Sequence, residues 1–141
     1  MADDAALAKL LKERDLGVLA TLKRDGRPQL SNVNYHFDEA RRLVRVSVTA
    51  DRAKARNLAR DPRASLHASA PDGWSWVVAE GTAELSAVAA DPHDAAVEEL
   101  IEVYRDVRGE EHPDWDDYRR AMVEDGRLVV RLHVERLYGQ V

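Results

Sequence analysis

Across residues 127–137, Leu128, Val130, Leu132 and Val134 alternate with Val129, Arg131, His133 and Glu135. A period of two over that length is the mark of a half-buried strand. Similar runs occupy 17–22, 28–37, 43–49, 64–69 and 74–85, and short turn signals separate several of them. Asp25-Gly26 supplies the positive φ angles of a hairpin turn, Asp38–Arg42 forms the next turn, and Pro71-Asp72-Gly73 another. Gly81, inside the longest run, marks a bulge or a close backbone approach. Helical periodicity appears at 3–14, 51–60, 91–107 and 114–124. Asp3 or Asp4 can cap the first helix, Thr49 or Asp51 the second, and Asp91 before Pro92 the third. The pattern predicts an α+β chain that is mostly β, with about six antiparallel strands closing into a small barrel and helices flanking it. With 141 residues, the chain 1–141 is one domain.

Charge and composition exclude several functions. The net charge of −5 argues against a general nucleic-acid binder. Cysteine is absent, which removes disulfides, thiolate metal sites and Cys nucleophiles. His36, His67, His93, His112 and His133 have no metal-ligand spacing, so no metal site is expected. The start Met-Ala-Asp-Asp-Ala is not a secretory signal and no run is long enough to span a membrane, so a cytoplasmic location is expected. No nucleophile-elbow, Walker or dinucleotide glycine pattern occurs. No catalytic side chain stands out, and any redox chemistry would be carried by a bound cofactor.

The strongest binding signal lies where the strand at 43–49 gives way to a helix. Arg52, Lys54 and Arg56 place three positive charges within five residues, and Asn57 adds amide donors. A helix start so decorated is either a seat for a phosphate or carboxylate, or a solvated basic face. The strand beginning at Pro28 is unusually polar, with Gln29, Ser31, Asn32 and Asn34 among Leu30, Val33 and Tyr35. It reads either as a solvent-facing edge or as one wall of a polar ligand groove. Trp74 and Trp76, two residues apart, would share one strand face, as core or as a wall for a flat ring or a subunit contact.

Taken in order, Gly17–Leu22, Asp25–Val33 and Arg52–Leu58 followed by Asp61-Pro62-Arg63 resemble the pyridoxamine-phosphate-oxidase-like family. Within it they are similar to the actinobacterial branch of F420-dependent flavin/deazaflavin oxidoreductases. Glu80–Glu84, His112–Arg119 and Arg136-Leu-Tyr-Gly139 also resemble that branch. The resemblance implies a split β-barrel that forms a homodimer, with cofactor sites between the subunits. It implies that Arg52, Lys54 and Asn57 hold the cofactor phosphate, with Ser47 and Thr49 near by. Gln29, Ser31, Asn32 and Val33 would lie beside the ring system, and Trp74 or Trp76 near the groove, from one subunit or the other. The implied activity is hydride transfer from the reduced deazaflavin F420 to a conjugated small molecule. FMN is the alternative cofactor, and a non-catalytic F420 or tetrapyrrole binder the alternative role. Pyridoxamine-phosphate oxidases themselves end in Arg-Leu-x-Pro, whereas this chain ends Arg136-Leu-Tyr-Gly-Gln-Val141.

Overall fold

The structure, a computed structural model, describes residues 3–141. Its elements run α1 Asp4–Glu13, β1 Leu16–Leu22, β2 Pro28–Asn34, β3 His36–Asp38, β4 Leu43–Thr49 and α2 Ala53–Arg60. They continue with β5 Arg63–Ser69, β6 Trp76–Leu85, α3 Ala95–Arg108, α4 Trp115–Asp125 and β7 Arg127–Gln140. The seven strands form one sheet of order β2-β1-β5-β6-β7-β4-β3, paired antiparallel throughout. The sheet curls into the half-barrel of a split-barrel α+β fold. Its inner side chains, among them Leu19, Val33, Val46, Leu66 and Leu132, pack with Leu7 and Leu11 of α1 in one core. No helix among the described residues is long and apolar enough to cross a membrane.

The expected strand over 28–37 is two strands, which raises the count from about six to seven. The break falls at Tyr35, whose amide donates to the Asp15 carbonyl (2.9 Å) and whose hydroxyl donates to the Leu11 carbonyl (2.7 Å). The chain there changes partner, from β1 before Tyr35 to β4 after it. Burial pushes the Tyr35 phenol well above its ordinary pKa. Trp74 lies outside β6 and therefore does not share a strand face with Trp76. It sits in the turn after Pro71, where its amide donates to the Asp72 carboxylate (2.9 Å).

Several ends also differ from the pattern. Arg52, rather than Thr49 or Asp51, occupies the N-cap of α2, and no side chain caps that helix. Thr49 is the last residue of β4, and its hydroxyl accepts from Arg52 Nε at 3.3 Å. Asp94 caps α3, accepting from the Val97 amide at 2.9 Å, so Asp91 and Pro92 fall in the preceding loop. Asp94 wins because its other carboxylate oxygen also accepts from the Ala90 and Asp91 amides. In the first hairpin only Gly26 has a positive φ (+87°), so Asp25 does not share that conformation. The Gly26 amide closes on the Lys23 carbonyl, which leaves Arg24 and Asp25 as the central pair.

Helices α3 and α4 pack in a second cluster against Val129 of β7, with Val97, Leu100, Ile101 and Met122. A part-buried ionic clasp ties α3 to the sheet. Arg45, 6% exposed, reaches Glu99 (3.4 Å) and Asp106 (3.0 Å), and Arg131 Nε lies 2.8 Å from Glu99 Oε2. Burial works against ionising Glu99, but the hydrogen bonds and charges of Arg131 and Arg45 outweigh it and hold its pKa below the usual carboxylate range. Glu99→Gln leaves both guanidiniums with a weaker partner and is expected to lower stability by about 1.5–3 kcal/mol. Urea denaturation followed by far-UV circular dichroism checks this, and an unchanged midpoint would contradict it.

Candidate functional site

Between β2 and β4 on one side and α3 and α4 on the other lies a cleft of about 590 Å³. Asn32, Val33 and Asn34 form its β2 edge, and Ser47, Val48 and Thr49 its β4 wall. Val103, Tyr104 and Val107 come from α3, and Tyr118 and Met122 from α4. The sheet register sets the fourth side. Thr49 stands opposite Arg127, so the start of β7 lies next to the turn that leads into α2. Arg52 and Lys54 complete that end, and Arg108 lies at the end of α3.

The electrostatics are one-sided. Arg52, Lys54, Arg108 and Arg127 line the cleft, and no Asp or Glu does. Lys54 makes no ion pair among the described residues. Burial, followed by the neighbouring charges of Arg52 and Arg127, holds its pKa below the ordinary lysine value. Arg127 Nη1 donates to Ser47 Oγ (3.3 Å), while its buried Nε has no hydrogen-bond partner and lies 3.8 Å from Asp125. Like charges gathered in one cleft repel each other, and an anion relieves that repulsion. The uncapped amides at the start of α2 add partial positive charge at the same end. The donor set therefore fits a phosphate.

Seven of the residues singled out in the sequence line this cleft: Asn32, Val33, Asn34, Ser47, Thr49, Arg52 and Lys54. Gln29 and Asn57 line a neighbouring depression with Lys23, Arg24, Arg56 and Arg60. Asn57 is 7% exposed, and its amide is committed within the protein: Nδ2 donates to Thr21 Oγ1 (3.1 Å) and Oδ1 accepts from Arg60 (3.3 Å). The bond to Thr21 fastens α2 to β1, and the bond from Arg60 lies within α2. Ser31 is half-buried and lines neither space. Trp76 lies outside the cleft, stacked on His67 (centroids 5.9 Å apart) and edge-on to Tyr138 (6.1 Å). Trp74 is 77% exposed and also lies outside it.

Sequence reasoning missed Arg127, Arg108, Tyr104 and Met122. Arg127 read as the first residue of an alternating strand, and nothing local marks it as facing Thr49. Tyr104 and Met122 fell on apolar helical stripes, which the packing of α3 on α4 explains equally well.

A family model described as pyridoxamine 5'-phosphate oxidase matches residues 3–140. Among solved structures, a conserved hypothetical protein from Mycobacterium tuberculosis superposes with a TM-score of 0.76 at 24% identity, over 99% of this chain and 85% of that one. An F420 reductase superposes with a TM-score of 0.65 at 22% identity, over 98% of both chains. A FAD-binding protein from Mesorhizobium loti does so with a TM-score of 0.68 at 17% identity, over 98% of this chain and 92% of that one. At these identities the likeness is one of fold.

Proposed function

The chain belongs to the pyridoxamine 5'-phosphate oxidase family, and on that premise we propose that it is an F420-dependent oxidoreductase that reduces a conjugated small molecule. The observation that carries this reading is the carboxylate-free cleft around Lys54, with cations from β7, from the α2 start and from α3. Arg52, Lys54 and Arg127 would hold the phosphate through charge-assisted hydrogen bonds. Asn32 and Asn34 offer amide donors and acceptors along the β2 edge, where a heterocycle presents its polar rim. Val33, Val48, Val103 and Val107 supply apolar walls that exclude water. Bound F420 in its reduced form supplies a hydride, and the protein's part is to hold donor and acceptor at reacting distance.

FMN is the second reading, because the same seat takes its single phosphate. The neighbouring depression favours F420, whose tail carries further carboxylates. Lys23, Arg24, Arg56 and Arg60 gather there with Asp25 as the one acidic residue. The test is to mix reduced F420, cyclohexenone and the protein, and to follow the absorbance of oxidised F420. Protein-dependent oxidation that needs the enone is the expected result. Oxidation at the uncatalysed rate across a panel of enones and quinones would contradict the proposed reaction.

The lowered pKa of Lys54 gives a pH dependence. The folded value lies below the unfolded one, so between the two the unfolded chain binds more protons. Stability of the free protein therefore rises with pH through that window, and the penalty is present in full below it. A bound anion raises the folded pKa again. Phosphate binding then takes up a proton in the window and weakens as pH rises through it. Calorimetric titration with inorganic phosphate, in buffers of different ionisation heat, should detect this uptake in the native protein and lose it in Lys54→Gln. Equal uptake in both would remove Lys54 from the seat.

A homodimer is part of the proposal. Leu16, Leu30 and Tyr138 are exposed on the sheet, and Trp74 on the turn before β6. These large apolar groups suit contact with a second copy, which would complete each cleft. Sedimentation should give one species of twice the 15.8 kDa chain mass, and a monomer at micromolar concentration would contradict the dimer.

A further inference from the structure

The cleft's cations fall into two groups. Lys54 feels the charges of Arg52 and Arg127, and these three form the phosphate end. Arg108 belongs to the opposite wall, as the last residue of α3 before the left-handed Gly109. Its side chain makes no ion pair or hydrogen bond among the described residues. Its guanidinium lies over the ring of Tyr104, 5.3 Å from the centroid.

Tyr104 is held firmly. His112 (5.2 Å), Trp115 (5.5 Å) and Tyr118 (5.2 Å) all meet its ring in edge contacts. The Tyr118 hydroxyl is committed to the Leu100 carbonyl (3.0 Å), and burial pushes its pKa up to about 12. The Tyr104 hydroxyl has no hydrogen-bond partner among the described residues. Val103 and Val107 flank Tyr104 on the cleft side of α3, and Met122 lines the cleft from α4. The wall is thus an apolar strip that carries one fixed aromatic ring, one unused phenol O–H and one guanidinium without a counter-charge.

We propose that this wall is the acceptor subsite and that Arg108 and Tyr104 select a planar conjugated carboxylic acid. The carboxylate pairs with Arg108 and accepts from the Tyr104 hydroxyl, while the conjugated part lies along Val103, Val107 and Met122. The guanidinium supplies two parallel donors, which match a carboxylate better than an amide or ester. Calling it the acceptor subsite rests on the coenzyme reading above; the affinity for the carboxylate does not.

The test compares cinnamate with cinnamamide, two probes of the same shape that differ in charge, by ligand-observed NMR titration of the full chain. The native protein should favour cinnamate by about tenfold or more. Arg108→Gln should abolish that preference, Arg108→Lys should restore part of it, and Lys54→Gln should leave it standing. Arg108 is exposed at a helix end, so its replacement leaves the fold intact. Equal binding of the two probes, no binding of either, or a preference that survives Arg108→Gln and vanishes in Lys54→Gln would each overturn the proposal. A protein that binds neither F420 nor FMN yet keeps an Arg108-dependent preference would retain the carboxylate site and lose the coenzyme reading, so the two failures are distinct.

Discussion

Lys54→Ala/Arg127→Ala is expected to weaken coenzyme binding by about 3–5 kcal/mol, on the order of a hundredfold to several thousandfold. Each side chain would give the phosphate a charge-assisted hydrogen bond worth about 1.5–3 kcal/mol. The sum is trimmed because the two charges are coupled: removing Arg127 relieves Lys54 of one of the neighbours that lowers its pKa. The same coupling separates a ligand seat from a structural pair. Neither side chain forms a close ion pair inside the protein, Arg127 lying 3.8 Å from Asp125 and Lys54 having no such partner among the described residues. The substituted protein without ligand should therefore melt at or above the native temperature while coenzyme binding collapses. Calorimetry for binding and a thermal melt for the free protein check both halves. A fall in melting temperature with little loss of binding would make these residues structural.

Gly81→Ala is expected to cost more than about 3 kcal/mol and to disable the site without touching it. A Cβ on Gly81 would lie 1.9 Å from the His133 carbonyl oxygen and 2.8 Å from its carbon. Both atoms are backbone of β7, so no rotamer change can make room. The register explains the crowding: Glu80 pairs with Arg136 and Gly81 with Val134, which leaves Glu135 as the extra residue of a bulge. Relieving the clash means opening the β6–β7 pairing at that bulge. Strand β7 also pairs with β4 and carries Arg127 opposite Thr49, so its displacement would move the proposed phosphate seat. Equilibrium unfolding in guanidinium, compared with coenzyme affinity, tests this. A loss under about 1 kcal/mol with native affinity would show that the strands part there at little cost.

The sequence carried the fold where local chemistry decides it. Alternation at 43–49 and 127–137 marked strands because one face lines the barrel core, while α3 and α4 bury part of the other over Arg45 and Val129, and Gly81 signalled its bulge because no other residue fits. Tyr35 escaped, since a break caused by hydrogen bonds to Leu11 and Asp15 depends on residues 20 and more positions away. The site divides in the same manner. Arg52 and Lys54 were legible because their charges cluster along the chain. Arg127 and Arg108 were not, because strand register and helix packing bring them to the cleft from remote segments. Asn57 shows the converse: an amide beside a basic cluster reads as a ligand group, and here its hydrogen bonds go to Thr21 and Arg60.

The central claim is that the cleft around Lys54 seats the phosphate of F420. Paired fluorescence titration of the native protein and Lys54→Ala with F420 and with FMN, at one ionic strength, tests it most directly. F420 is expected to bind tightly and FMN more weakly, and the variant is expected to lose about 1.5–3 kcal/mol for F420. An F420 dissociation constant that Lys54→Ala leaves unchanged, or no binding of F420 at all, would contradict it.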